Sequence, residues 1–417
     1  MPEIITLDNG FTIILDHVPH VERASLGIWC RAGSRFETDK ESGLSHFLEH
    51  MFFRGSQKYT NDQINEIPDS MGVDINAYTS KENTAYHCTG LKEAVPQMID
   101  ILTDMVFNPT FPQDLMEIER GAILSEINTY YQNPSAHTSH LADEAAYGLD
   151  QSMGQPILGP KDNIKSFQRD DLVRFKEKLY TAPNMAFVIS GNFDRDQVID
   201  LVSNAAKDLK PGLKNTFAAA SVRGGEAIEG RPIEQLNVYL GCEASPSGTK
   251  EALAEAIYGD IMGSGMSSRL HQEVREKRGL VYGIQAGAQT YEGVGEFGIF
   301  SAGINKQDKD TFMTVVKDEI KKSRGTITQA ELDKSMTGLK NDLYKGMESI
   351  GARARTFGTN FLGEKPLDFD EMYNRYASVT LDDVNDASHR MFKNGLHLAA
   401  IGPQDSLPTL DEFKKDL

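Results

Sequence analysis

The chain has 417 residues, 39% hydrophobic and 25% charged, the balance of a globular protein long enough for two or three domains. A formal net charge of −18 argues against a nucleic-acid partner, and no apolar run approaches membrane-spanning length. Three cysteines, Cys30, Cys88 and Cys242, are far apart with no C-x-x-C, as in a reducing compartment where cysteine serves as a small apolar residue. The acidity reads first as a generally acidic surface, with a face attractive to basic peptides as the alternative.

The first predicted element is a hairpin: Met1–Leu7 and Phe11–Leu15 flank Asp8-Asn9-Gly10, and Asn-Gly between apolar runs favours a tight turn. No basic, apolar or Arg/Ser-rich leader is visible, so no targeting segment is expected and the expected location is cytoplasmic. Next comes His46-Phe47-Leu48-Glu49-His50. On a helix, histidines at i and i+4 lie one above the other, and Glu49 shares their face. Two imidazoles and a carboxylate can supply most of a catalytic zinc site and the base for its water. This H-x-x-E-H order is the inverse of the better-known H-E-x-x-H; an amphipathic helix with incidental histidines is the competing reading.

Such a site needs a third protein ligand. Asn76–Tyr86 reads as a half-buried strand, and the best source of a ligand is the helix through Glu117–Ile127. Glu119 and Glu126 are seven residues apart, so they share a face beside the apolar stripe of Ile123 and Ile127. Buried carboxylates are costly unless a cation compensates them, although solvated surface acids remain the alternative. His137 and His140 stand at i,i+3 with no third ligand in view and read as structural. His17, His20, His87, His271, His389 and His397 are isolated. No P-loop, dinucleotide fingerprint or nucleophile with a base partner is found.

The plan then repeats. Ser166–Val173 opens a helix leading to the buried strand Met185–Gly191, and Ser378–Val384 leads likewise to Leu396–Gly402, at an offset of 211 to 212 residues. The helices opened by Phe111–Leu115 and Ile327–Leu332 form an earlier pair. A duplication of this length implies two similar domains, at 1–212 and 233–417, joined by a linker at 213–232. Each half mixes strands and long helices without regular β-α-β alternation. The expected class is therefore α+β, each domain a mostly antiparallel sheet with helices on one face. The second copy has no histidine around Ile257–Gly263 and places Ser335 and Asp342 where the first has Glu119 and Glu126, so it is expected to hold no metal. Gly263-Ser264-Gly265 reads as a turn or a substrate-handling loop.

His46–His50, followed by Glu126 after 75 intervening residues, resembles the insulinase/pitrilysin superfamily of inverted zinc metallopeptidases. Gly43-Leu44-Ser45, Met51-Phe52-Phe53-Arg54-Gly55, Asn76–Tyr86 and Glu119-Arg120-Gly121 resemble its mitochondrial-processing-peptidase-like branch, in a half-length, bacterial-type form. The resemblance implies His46, His50 and Glu126 as ligands of one zinc ion per chain, Glu49 as general base, and Glu119 as an acid orienting a ligand histidine. It places Asn76, Ala77 and Tyr78 on an edge strand that a peptide extends. Arg275 and Tyr282, within Arg275-Glu276-Lys277-Arg278-Gly279-Leu280-Val281-Tyr282, match a pair that stabilises the tetrahedral intermediate. The implied protein is a zinc endopeptidase acting on unfolded peptides or presequence-like segments inside a homodimeric chamber, with no nucleic acid or membrane partner. A non-catalytic scaffold or partner subunit of a peptidase-like complex is the alternative.

Overall fold

The computed structural model describes residues 1–415 and 417. Its first sheet contains β1 (Glu3–Thr6), β2 (Thr12–His17), β3 (Arg23–Cys30), β4 (Asp74–Thr79), β5 (Thr84–Leu91) and β6 (Met185–Gly191), in the order β1-β2-β6-β3-β5-β4. The second contains β7 (Gly225–Gly230), β8 (Gln235–Ala244), β9 (Gly283–Tyr291), β10 (Val294–Asn305) and β11 (His397–Gly402), in the order β7-β11-β8-β10-β9. Apart from the additional β1, the two orders are the same path. In each, the first two strands of the shared path pair in parallel (β2 with β6, β7 with β11) and all other pairs are antiparallel. The duplicated α+β plan expected from the sequence is thus present in the strand topology.

The helices of the first half are α1 (Leu44–Phe52), α2 (Asn61–Ser70), α3 (Val95–Phe107), α4 (Gln113–Gln132), α5 (Pro134–Tyr147), α6 (Lys161–Ser166), α7 (Arg169–Leu179) and α8 (Arg195–Ala206). Those of the second are α9 (Lys250–Gly263), α10 (Lys309–Ser323), α11 (Gln329–Glu348), α12 (Ile350–Leu362), α13 (Phe369–Ala377), α14 (Leu381–Arg390) and α15 (Leu410–Lys414). Local chemistry sets the repeated boundaries. Thr380 and Asp383 form a reciprocal capping box that starts α14, and at α7 the Asp171 carboxylate accepts from the Gln168 backbone N–H; these helices lead to β11 and β6. Among the described residues no helix is long and apolar enough to cross a membrane.

The compact units do not follow a single cut through the chain. One comprises Met1–Ile127, Pro156–Ala218 and Asp342–Met372; the other comprises Asn128–Gln155, Ala219–Asn341 and Tyr373–Leu417. Each therefore takes in one helix from the opposite half of the sequence. The boundaries 1–212, 213–232 and 233–417 follow the repeat, whereas α12 belongs to the first unit and α5 to the second. The segment expected as linker also holds β7, the first strand of the second sheet.

This exchange has a packing reason. In the first sheet, Tyr86 faces Phe52 of α1 at 4.9 Å between ring centroids, while its neighbour Ala85 points to the other face with Trp29 and Val188. Ala354 and Phe357 of α12 cover that second face. Gly358 lets the helix lie on the indole, since an added Cβ would come within 2.2 Å of Trp29 Cδ2. In the second sheet, Leu141, Ala142 and Ala145 of α5 cover Ala227, Tyr239, Ala399 and Ile401 in the same manner. Each helix buries an apolar stripe that a one-layered sheet would leave wet.

Candidate metal centre and active site

Helix α1 is anchored by Leu44, Phe47, Leu48, Met51 and Phe52, all buried, which fixes the rotation of the remaining face. Its N-terminus has no side-chain cap from its own N-cap residue, Gly43. Glu37 does that work from outside the helix: its carboxylate accepts from the backbone N–H of Gly43 at 2.9 Å and of Ser45 at 2.6 Å. Burial pushes the Glu37 carboxyl up to about 8, against the opposing pull of those donors.

His46 and His50 stack along the free face with ring centroids 4.6 Å apart. Glu126 approaches from α4, its Oε2 lying 3.7 Å from His46 Nε2 and 3.5 Å from His50 Nε2. One ligand atom from each of the three lies within 4.8 Å of the others. Four ligands at about 2.0–2.1 Å around a tetrahedral zinc are separated by about 3.3 Å. The donor set of two imidazoles and a carboxylate fits that ion closely and leaves a fourth position open. Among the described residues no other group of three His, Cys, Asp or Glu side chains meets this spacing.

Glu119, two turns before Glu126 on α4, is 1% exposed. Its Oε2 accepts from His50 Nδ1 at 2.8 Å, and its Oε1 pairs with Arg54. With Nδ1 donating to Glu119, Nε2 is the His50 nitrogen that faces Glu126 and would hold a metal ion. Burial opposes ionisation of Glu119, but His50 and Arg54 outweigh it and hold the carboxyl below the usual range. Burial also opposes charge on His50, yet its hydrogen bonds to Glu119 and Glu126 lift it to about 9. Burial and the neighbouring His50 push His46 down to about 4.

Glu49 stands between the two histidines on α1 and accepts a hydrogen bond from the Thr79 hydroxyl. Burial raises its carboxyl above the ordinary value, the direction that suits a base poised to exchange a proton. Thr79 ends β4, the edge of the first sheet, which also carries Asn76, Ala77 and Tyr78. Ala77 and Thr79 share one face; Asn76 and Tyr78 share the other, where the Trp29 indole donates to the Tyr78 phenol at 3.3 Å.

In the second unit, Arg275 lies on a turn of π-helix, His271–Glu276, with its guanidinium carbon 5.0 Å from the centre of the Tyr282 ring. His271 Nε2 lies 3.0 Å from Arg275 Nη1. Leu280 and Val281 are buried, while Tyr282 is 86% exposed. The two side chains thus form one patch presented to solvent.

Residues 12–161 match the family model described as Insulinase (Peptidase family M16), and residues 166–339 match the Peptidase M16 inactive domain. The chain belongs to peptidase family M16, the insulinase family. It is 31% identical to an uncharacterized zinc protease of Rickettsia felis over 405 residues, covering 96% of this chain and 98% of that one. Identity to an uncharacterized zinc protease of Bacillus subtilis is also 31%, over 409 residues, covering 97% and 99%. A protease from Helicobacter pylori shares the fold at a TM-score of 0.87 and 19% identity, covering 97% and 99% of the two chains. At the level of the family, this chain is a zinc metallopeptidase.

The M16 model named inactive spans α9, a helix without histidine. There α9 buries Ile257, Tyr258, Ile261 and Met262, and Ser335 is buried on α11 while Asp342 is exposed. Ser264 N bonds Asp260 O, so Gly263-Ser264-Gly265 closes α9 in a turn. His137 is engaged by Glu229, at 2.8 Å from its Nε2, and by the Tyr131 ring at 4.5 Å. Three M16 site neighbours escaped the sequence reading as functional residues. Arg54 was within reach, at i+4 from His50. Glu37 lies six residues before Gly43, beyond capping-box spacing, and Thr79 meets Glu49 only through the fold.

Proposed function

We propose that this M16 chain is a zinc endopeptidase of the inverted H-x-x-E-H type, binding one zinc per chain through His46, His50 and Glu126. The observation that carries this reading is the convergence of those three side chains beside Glu49, with Glu119 behind His50. When bound, zinc lowers the pKa of a water molecule and polarises the scissile carbonyl. Glu49 takes the proton of the attacking water and returns it to the leaving amine. An unfolded peptide adds to the edge strand at Asn76, Ala77 and Tyr78, read through its backbone. Arg275 and Tyr282 donate hydrogen bonds to the developing oxyanion.

Substrates on this reading are unfolded peptides or presequence-like segments, taken into a chamber formed by two copies of the chain. Arg275 and Tyr282 of one copy serve the metal site of the other. The setting is cytoplasmic, in keeping with three buried free thiols. Glu49→Gln should retain zinc and lose peptide hydrolysis; turnover like that of the unmodified protein would remove the base assignment. A His46 variant mixed with a Tyr282 variant should regain part of the activity, and no recovery at all would count against the shared site.

A further inference from the structure

The edge strand β4 sorts its side chains between two different environments. Thr79 meets Glu49 on the face occupied by α1, and Ala77 points to that same face. Asp74, Asn76 and Tyr78 point to the opposite face, where Tyr78 packs with the apolar side chains of α12 while Asp74 and Asn76 are exposed. On that face Arg355 of α12 sets its guanidinium carbon 5.4 Å from the centre of the Tyr78 ring. Arg355 is exposed and, among the described residues, its guanidinium has no carboxylate partner. The other charges nearby are accounted for. Asp74, at the far end of the strand, is paired with Arg23, and Arg353 of the same helix is paired with Asp16 at 2.6 Å. Burial, and secondarily the charge of Arg355, push His87 below its ordinary value.

A peptide that extends β4 lies about 4.8 Å from it and alternates its side chains between the same two faces. Residues facing α1 approach Glu49 and the candidate metal ligands. Residues facing α12 come opposite Tyr78 or Asn76, where facing Cβ atoms are about 5 Å apart. A carboxylate opposite Tyr78 therefore falls within reach of Arg355, whereas an ammonium there meets an unpaired like charge. We propose that Arg355 is a specificity-determining residue, selecting substrates with an acidic side chain, and against basic ones, at one position facing away from the metal site. This rests on the proposed addition of a peptide to β4 and, of the two substrate classes proposed, favours unfolded peptides at large over basic, presequence-like segments.

The test uses zinc-loaded Glu49→Gln protein and fluorescent unstructured peptides in which Glu, Gln or Lys is placed at each position in turn, with affinity read by anisotropy. Glu should bind about fivefold tighter than Lys at one position, with a weaker echo two residues away and none at the intervening residue. Adding Arg355→Glu should reverse the preference, and Arg355→Gln should flatten it, with unchanged thermal unfolding because the side chain is exposed. An identical preference with and without Arg355→Glu overturns the inference, as does failure of every peptide to bind. Cleavage of the same peptides by the unmodified protein is followed in parallel. Turnover without any response to Arg355 overturns this inference alone, while absence of turnover overturns the proposed function as well.

Discussion

Helices α1 and α9 hold equivalent places in two copies of one strand plan, and they solve different problems. In α1 the apolar stripe leaves His46, Glu49 and His50 on one face, opposite acids on α4. In α9 the equivalent stretch is filled by Ile257, Tyr258, Ile261 and Met262, packed into the second core. The long helix of the second copy offers Ser335 and Asp342 in place of Glu119 and Glu126. The scaffold is thus indifferent to chemistry, which resides in a handful of side chains. Buried imidazoles and carboxylates are tolerated where they neutralise one another or share a cation. Without that cation, apolar packing replaces them. What the second copy retains is Arg275 facing Tyr282, donors without a metal set beside them.

If the second copy supplies oxyanion donors, Tyr282→Phe should lower kcat by about 10²–10³ while zinc content and thermal unfolding stay unchanged. A fall in zinc content would place the residue outside that role. The next effect in size concerns the first copy's support of its histidine. Glu119→Gln keeps one carbonyl acceptor but removes the negative charge that His50 and Arg54 share. Zinc affinity, measured by competition with a chelator of known strength, should drop about 10–100-fold. Glu37→Gln exchanges one of two acceptors at the start of α1 for an amide that cannot accept. Loss of such a cap costs about 1 kcal/mol, which calorimetry should register as a melting point lower by about 2–4 °C. At the small end, Ser335→Ala and Asp342→Ala alter the second copy's equivalents of the acid pair. Both should leave zinc content and turnover unchanged, and Asp342→Ala, at an exposed position, should leave stability within about 0.5 kcal/mol.

Much of this contrast was legible in the sequence because it is local. The i,i+4 histidines and the two acids seven residues apart depend only on helical periodicity, which the structure preserves in α1 and α4. The Asn9-Gly10 turn gives the β1–β2 hairpin, and the repeated capping residues precede α7 and α14. The edge position of β4 and the roles of Arg275 and Tyr282 came only through the family resemblance, since nothing in their spacing distinguishes them from an ordinary strand and a charged helix. The exchange of α5 and α12 was hidden for another reason. An amphipathic stripe such as Ala354-Phe357 declares that it will be buried, not which sheet will bury it. Glu37 was silent because it caps α1 from six to eight residues away, outside any capping spacing, and Thr79 because it meets Glu49 only through tertiary structure.

The claim on which the contrast depends is that one copy, and only one, binds the metal through a shared trio. Zinc should be counted per chain by elemental analysis of the purified protein and of the His46→Ala, His50→Ala and Glu126→Ala variants. The expected result is one equivalent in the unmodified protein and loss in each variant. A metal-free unmodified protein, or variants that keep a full equivalent, would contradict it.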